Sequence, residues 1–125
     1  MVFVVDFDGT CVTHEFPRIG KDIGAVPVLK KIVRAGAKIV LFTMRDDRGP
    51  GEMYLTDAVN WFKENGIELY GIQTNPSQKS WTNSPKAHGD VFIDDLAFGC
   101  PLVFPEDGSR PYVDWKEIES VLFEV

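Results

Sequence analysis

The sequence predicts an α/β fold, a Rossmann-like three-layer sandwich on a mostly parallel central sheet, and three observations predict it. Short apolar runs, "VFVV", "KIVLF" and "DVFI", each stop abruptly at polar residues: Asp6, Thr43 and the pair Asp94 and Asp95. Continuous β-branched and aromatic runs of this kind suit strands buried on both faces, as in a parallel sheet covered by helices. Between the runs, apolar residues recur every three or four positions, the period of a helix that packs by one face. Strands alternating with helices imply right-handed crossovers and strands that point the same way.

In chain order, the first strand covers "VFVV" and ends at Asp6. The first helix carries Val28, Leu29, Ile32 and Val33; Pro27 suits its first turn and Gly36 its stop. "KIVLF" is the second strand. The second helix carries Leu55, Ala58, Val59 and Phe62 and closes at Asn65 and Gly66. Weaker strand candidates are "ELYGI", around residues 68 to 72, and "PLVF", around 101 to 104. A third helix starts at Asp114, where Glu117 completes a capping-box spacing, and runs through Ile118, Val121 and Leu122. Trp61 and Trp115 read as packing residues. The 125 residues hold no repeat, low-complexity tract or linker, so residues 1–125 are expected to form one domain.

Charge narrows the function classes. Lys and Arg number 13 against 19 Asp and Glu, a net charge of -6, which disfavours nonspecific attraction to nucleic acid or an anionic membrane. Cys11 and Cys100 lie far apart and form no C-x-x-C unit, so they suggest reduced thiols, neither a zinc site nor a disulfide framework. The chain enters its first strand pattern without a basic leader, and no apolar run reaches membrane-spanning length. The expectation is a soluble, cytoplasmic protein with no nucleic acid and no membrane among its partners, and room for a homo-oligomer.

In open parallel sheets, ligands gather beyond the carboxyl ends of the strands. Asp6, Thr43, Asp94 and Asp95 all project there. If Asp6, Asp8, Asp94 and Asp95 share that crevice, each pair at 4 Å repels by about 4 kcal/mol at an effective dielectric near 20. A proton or a cation must offset this, and hard oxygen donors favour Mg2+, which keeps waters and accepts phosphate oxygens. Gly9 lets the loop turn, so that neighbouring N–H groups, Phe7 among them, can face an anion as a nest. Thr43 can add a hydroxyl, and Lys86, a short loop before the strand that carries Asp94, can neutralise phosphate charge; Lys79 is its competitor. Asp6 is then the candidate nucleophile, giving an aspartyl-phosphate, and Asp8 the acid and then the base. Mg2+ and Lys86 would stabilise charge on the transferring group.

"DFDGT", "LFTMR", Lys86 and "FIDD" resemble, in order and spacing across nearly the whole chain, the four motifs of the haloacid dehalogenase superfamily of phosphotransferases. The resemblance implies a phosphatase-like hydrolase core with Asp6 as nucleophile and Mg2+ ligand and Asp8 as acid/base, its backbone carbonyl offered to the metal. It implies Asp94 as a direct ligand, Asp95 acting through a water or by orienting its neighbours, Thr43 and Lys86 on phosphate, and Thr10 fixing the loop. Members that displace halide lack a carboxylate at the position of Asp8, so dehalogenation is the weaker expectation. Met44 stands where relatives often carry Gly or Asn. Arg45 reads either as a contact to the leaving group or as a solvated charge. Neither usual insertion point is long enough for a cap domain, so the resemblance implies a capless member with an open site. The alternative is a phosphate-binding or phospho-accepting regulatory module without turnover.

Four residues carry weaker readings. His14 lies in a flap-like segment where it could cover the crevice, and His88 follows Lys86 by two; solvated loop histidines are the default for both. Cys11 is expected to be a packed thiol. Trp81, in a polar loop, is either a substrate wall or subunit contact, or a loop anchor.

Overall fold

A computed structural model describes residues 1–123 and has the expected α/β architecture. Strand β1 (Val2–Val5) leads through α1 (Ala25–Arg34) to β2 (Lys38–Leu41), and β2 leads through α2 (Tyr54–Glu64) to β3 (Gly71–Ile72). The chain then crosses to β4 (Val91–Ile93), passes through a ribbon of β5 (Leu102–Val103) and β6 (Tyr112–Val113), and ends in α3 (Trp115–Phe123). The main sheet is wholly parallel with order β3-β2-β1-β4, and β5 pairs antiparallel with β6. In register, Phe3 faces Ile39 and Val91, and Val5 faces Leu41 and Ile93.

That register sorts the core by the two-residue alternation of a strand. Phe3, Val5, Ile39, Leu41 and Ile93 share one face, and the buried residues of all three helices pack there: Val28, Leu29 and Ile32 of α1, Trp61 and Phe62 of α2, Trp115 and Ile118 of α3. Val4 and Val40 face the other way and meet Ala87. Handedness explains the division. The steps β1 to β2 and β2 to β3 move in one direction across the sheet, whereas β3 to β4 moves back, so a right-handed crossover must pass over the opposite face.

That opposite layer is irregular chain with a single 3₁₀ turn (Gln78–Ser80) where a helix would be expected. Its polar groups are met by two buried amides. Gln78 donates through Nε2 to the carbonyls of Ser84 and Lys86 and accepts through Oε1 from the N–H groups of Asn75 and His88. Asn75 Nδ2 donates to the His88 carbonyl. Gly89 lets this layer close on the sheet, since a Cβ there would collide with Val4.

Aspartates cap the helix starts, and of these only Asp114 is signalled in the sequence. Asp22 accepts from the N–H groups of Gly24 and Ala25 at the start of α1, and Asp114 accepts from Glu117 N–H at the start of α3. For α2 the cap comes from outside the helix: Asp47 accepts from the N–H and hydroxyl of Thr56. "ELYGI" yields only a two-residue strand, and "PLVF" belongs to the separate ribbon. No helix among the described residues is long and apolar enough to cross a membrane.

Candidate functional site

The order of strands reverses between β1 and β4, and in open α/β sheets ligands bind beyond the carboxyl ends at such a reversal. Asp6 follows β1 and Asp94 and Asp95 follow β4 at this point. Each of the three offers a carboxylate oxygen, and these oxygens lie within 4.8 Å of one another. Asp6 N–H donates to the Ile93 carbonyl at 3.0 Å, which continues the β1–β4 pairing into the site and sets the two strand ends level.

Thr10 fastens the early acid to the late one. It is fully buried, its hydroxyl donates to Asp6 Oδ2 at 3.0 Å, and it accepts from Asp95 N–H at 3.0 Å. Its carbonyl accepts from Trp115 Nε1 at 2.6 Å, and the Gly9 carbonyl accepts from Val113 N–H, so α3 and the ribbon hold the loop from behind. Gly9 has φ of 80°, and a Cβ there would fall on the His14 ring and on Asp95 Oδ2. Its own N–H is used within the loop, donating to the Val12 carbonyl.

Crowding of like charges marks the cluster. Burial first, and then the neighbouring Asp94 carboxylate, push the Asp6 carboxyl from 3.8 up to about 7. The Phe7 N–H and the Thr10 hydroxyl pull it down, and Asp95 adds a smaller push upward. Among the described residues no Lys or Arg forms an ion pair with any of the three acids. Three convergent hard oxygens with no protein cation fit a divalent ion of the Mg2+ kind.

Asp8 stands outside the cluster. Arg45 Nε and NH2 donate to its two oxygens, each at 2.8 Å. The remaining donors of Arg45 go to the carbonyls of Pro17, Tyr54 and Arg18. All five guanidinium donors are thus engaged, and the group lies 5.1 and 5.0 Å from the ring centroids of Phe7 and Phe16. Arg45 is only 3% exposed, so the reading of a solvated charge is corrected: it is a buried ion pair. Its donors are also all taken, which leaves none for a leaving group in this arrangement.

The other expected residues are distributed as follows. Thr43 is half-buried; its N–H donates to Gln73 Oε1 and its hydroxyl accepts from Arg45 N–H. Gln73 also donates to the Thr43 carbonyl and takes a left-handed backbone conformation, φ 66°. Nothing in its sequence context singles it out. Phe7 is wholly buried with Trp61 and Phe62 beside it, so only its backbone faces the site. Met44 is almost fully exposed. Cys11 is buried, as expected of a packed thiol, and donates to the Asp6 carbonyl at 3.4 Å.

Lys86 is exposed, with Nζ 5.6 Å from the Phe92 ring centroid. Phe92 precedes Asp94 by one strand repeat, about 6.6 Å, and side chains two apart share a face. Lys86 therefore lies beside the strand that leads to Asp94, and the two form no ion pair. Lys79 is exposed on the 3₁₀ turn. Trp81 is 62% exposed with its ring edge-on to His88, and neither reaches the acids. His14, by contrast, is brought over the crevice: Nε2 lies 3.2 Å from Asp95 Oδ2.

No family model matches the chain, and no curated protein matches it. Among solved structures it is similar to a conserved protein from Bacteroides thetaiotaomicron, with 32% identity over 99% of this chain and 90% of that one and a TM-score of 0.75.

Proposed function

The chain belongs to one family with that conserved Bacteroides thetaiotaomicron protein, and because membership alone names no reaction, we propose from the site itself that it is a Mg2+-dependent phosphoester hydrolase. One observation carries the reading: three carboxylate oxygens from opposite ends of the chain converge within 4.8 Å at the reversal of the sheet. Asp6, Asp94 and Asp95 would hold the ion, which when bound would draw phosphate oxygens in and offset negative charge. An Asp6 oxygen attacks phosphorus, the bond from phosphorus to the leaving oxygen breaks, and that oxygen takes a proton from Asp8. Water then attacks the aspartyl-phosphate, gives a proton back to Asp8, and frees Asp6 and inorganic phosphate. Lys86, exposed beside Phe92, would swing toward the transferring group and offset its charge. The substrate is a small phosphorylated metabolite or an exposed phosphate on a larger molecule.

The proton role requires Asp8 to leave at least one of its two bonds to Arg45. That pair is the observation favouring a second reading, a phosphate-binding or phospho-accepting module without turnover. The two readings separate in one assay of p-nitrophenyl phosphate with and without Mg2+. The hydrolase releases nitrophenol catalytically with Mg2+ alone; Asp6→Asn falls to background and Asp8→Asn loses about 100-fold or more. A module would give at most one equivalent of product, and full activity in Asp6→Asn would end the hydrolase reading.

A further inference from the structure

His14 lies on a strap, residues 13–21, that the fold secures at both ends. Thr13 N–H donates to the Lys21 carbonyl and Lys21 N–H donates back to Thr13 Oγ1, closing the strap on itself. Arg45 holds its middle through the carbonyls of Pro17 and Arg18. The ring is thereby pressed over Gly9, into space that any side chain at position 9 would fill. Its Nε2 is buried and has no hydrogen-bond partner in line among the described residues, while Asp95 Oδ2 lies 3.2 Å away. A buried nitrogen without a partner is costly, and the Asp95 carboxylate is an acceptor within reach of it. The Asp95 carboxylate in turn has Thr10 on its other oxygen, 3.4 Å away.

We propose that His14 is a positioning residue for Asp95: its Nε2–H holds one carboxylate oxygen so that the group keeps its aim on the ion site shared with Asp6 and Asp94. Groups that orient a ligating carboxylate are worth about 10- to 100-fold in metal affinity. The strap makes this contact depend on Arg45, so the ion pair at Asp8 and the aim of Asp95 are two ends of one chain of contacts.

This inference rests on the Mg2+ reading, and the test keeps the two apart. Mg2+ binding is measured by calorimetry on the full chain, comparing wild type with His14→Phe, which fills the volume without a nitrogen, and His14→Gln, which returns a donor at similar reach. The expected result is a loss of about 10-fold or more in Mg2+ affinity for His14→Phe and recovery to within about threefold for His14→Gln. A wild type that binds and a His14→Phe variant that binds equally well would overturn the role of His14 while leaving the ion site standing. Equal losses in both variants would mean that the ring acts by shape, which also overturns it. A wild type that binds no Mg2+ would overturn both.

Discussion

Arg45 is tied to the candidate site only through contacts with the protein itself. Its guanidinium joins Asp8 to the strap and to the first residue of α2 through five donors, with the rings of Phe7 and Phe16 close beside it. Removing one partner of such a buried pair leaves the other charge uncompensated. Arg45→Met is expected to cost about 3 kcal/mol in urea unfolding at neutral pH, the lower part of the usual range because Asp8 keeps some contact with water. Lys offers three donors in place of a planar fork, so Arg45→Lys should recover little of this. The sequence reveals the acids more readily than their partners. "DFDGT" and "FIDD" are legible because polar residues that end buried strands must project from the sheet edge. The partner of Asp8 is 37 residues distant and that of Asp95 is 81 residues distant, and spacing along the chain carries no sign of either contact.

At the scale of elements, the helices and long strands are legible because each has a face to bury. α1 matches its apolar period, and "VFVV" and "DVFI" pair as parallel neighbours. The crossover from β3 to β4 is not legible, because its order comes from buried amides and not from periodicity. Gln78 stands in for the hydrogen bonds a helix would make, meeting four backbone groups. Gln78→Leu keeps volume but strands those groups, and it should cost about 3 kcal/mol in the same unfolding measurement. Because those bonds tie the crossover to itself, this variant should also raise hydrogen exchange across residues 73–90 more than in α1. Exchange that rises equally everywhere would mean the crossover has no local cooperativity. β3 is only two residues long, and the chain after it folds back so closely that a Cβ at Gly71 would collide with the Thr74 carbonyl and Pro76.

Across the whole molecule, the fold accepts a conflict at its sheet reversal. Burial and Asp94 raise the Asp6 carboxyl to about 7, so the folded protein without metal holds that proton more tightly than the unfolded chain does. The folded state binds the extra proton between about pH 4 and 7, so the contribution of Asp6 to stability declines as pH rises through that window and levels off above it. With chelator present, Asp6→Asn should therefore gain in melting temperature relative to wild type as pH goes from 5 to 8. Added Mg2+ should raise wild-type melting more at pH 8 than at pH 5 and leave Asp6→Asn nearly unmoved, because proton and ion compete for the same oxygens. A wild-type response to Mg2+ that is independent of pH would separate the ion from Asp6. The most direct measurement is a crystal structure of the protein grown at saturating Mg2+ and pH 8. The account predicts one ion held among oxygens of Asp6, Asp94 and Asp95, at about 2.0–2.1 Å from its ligands. Well-ordered carboxylates with no ion between them under those conditions would contradict it.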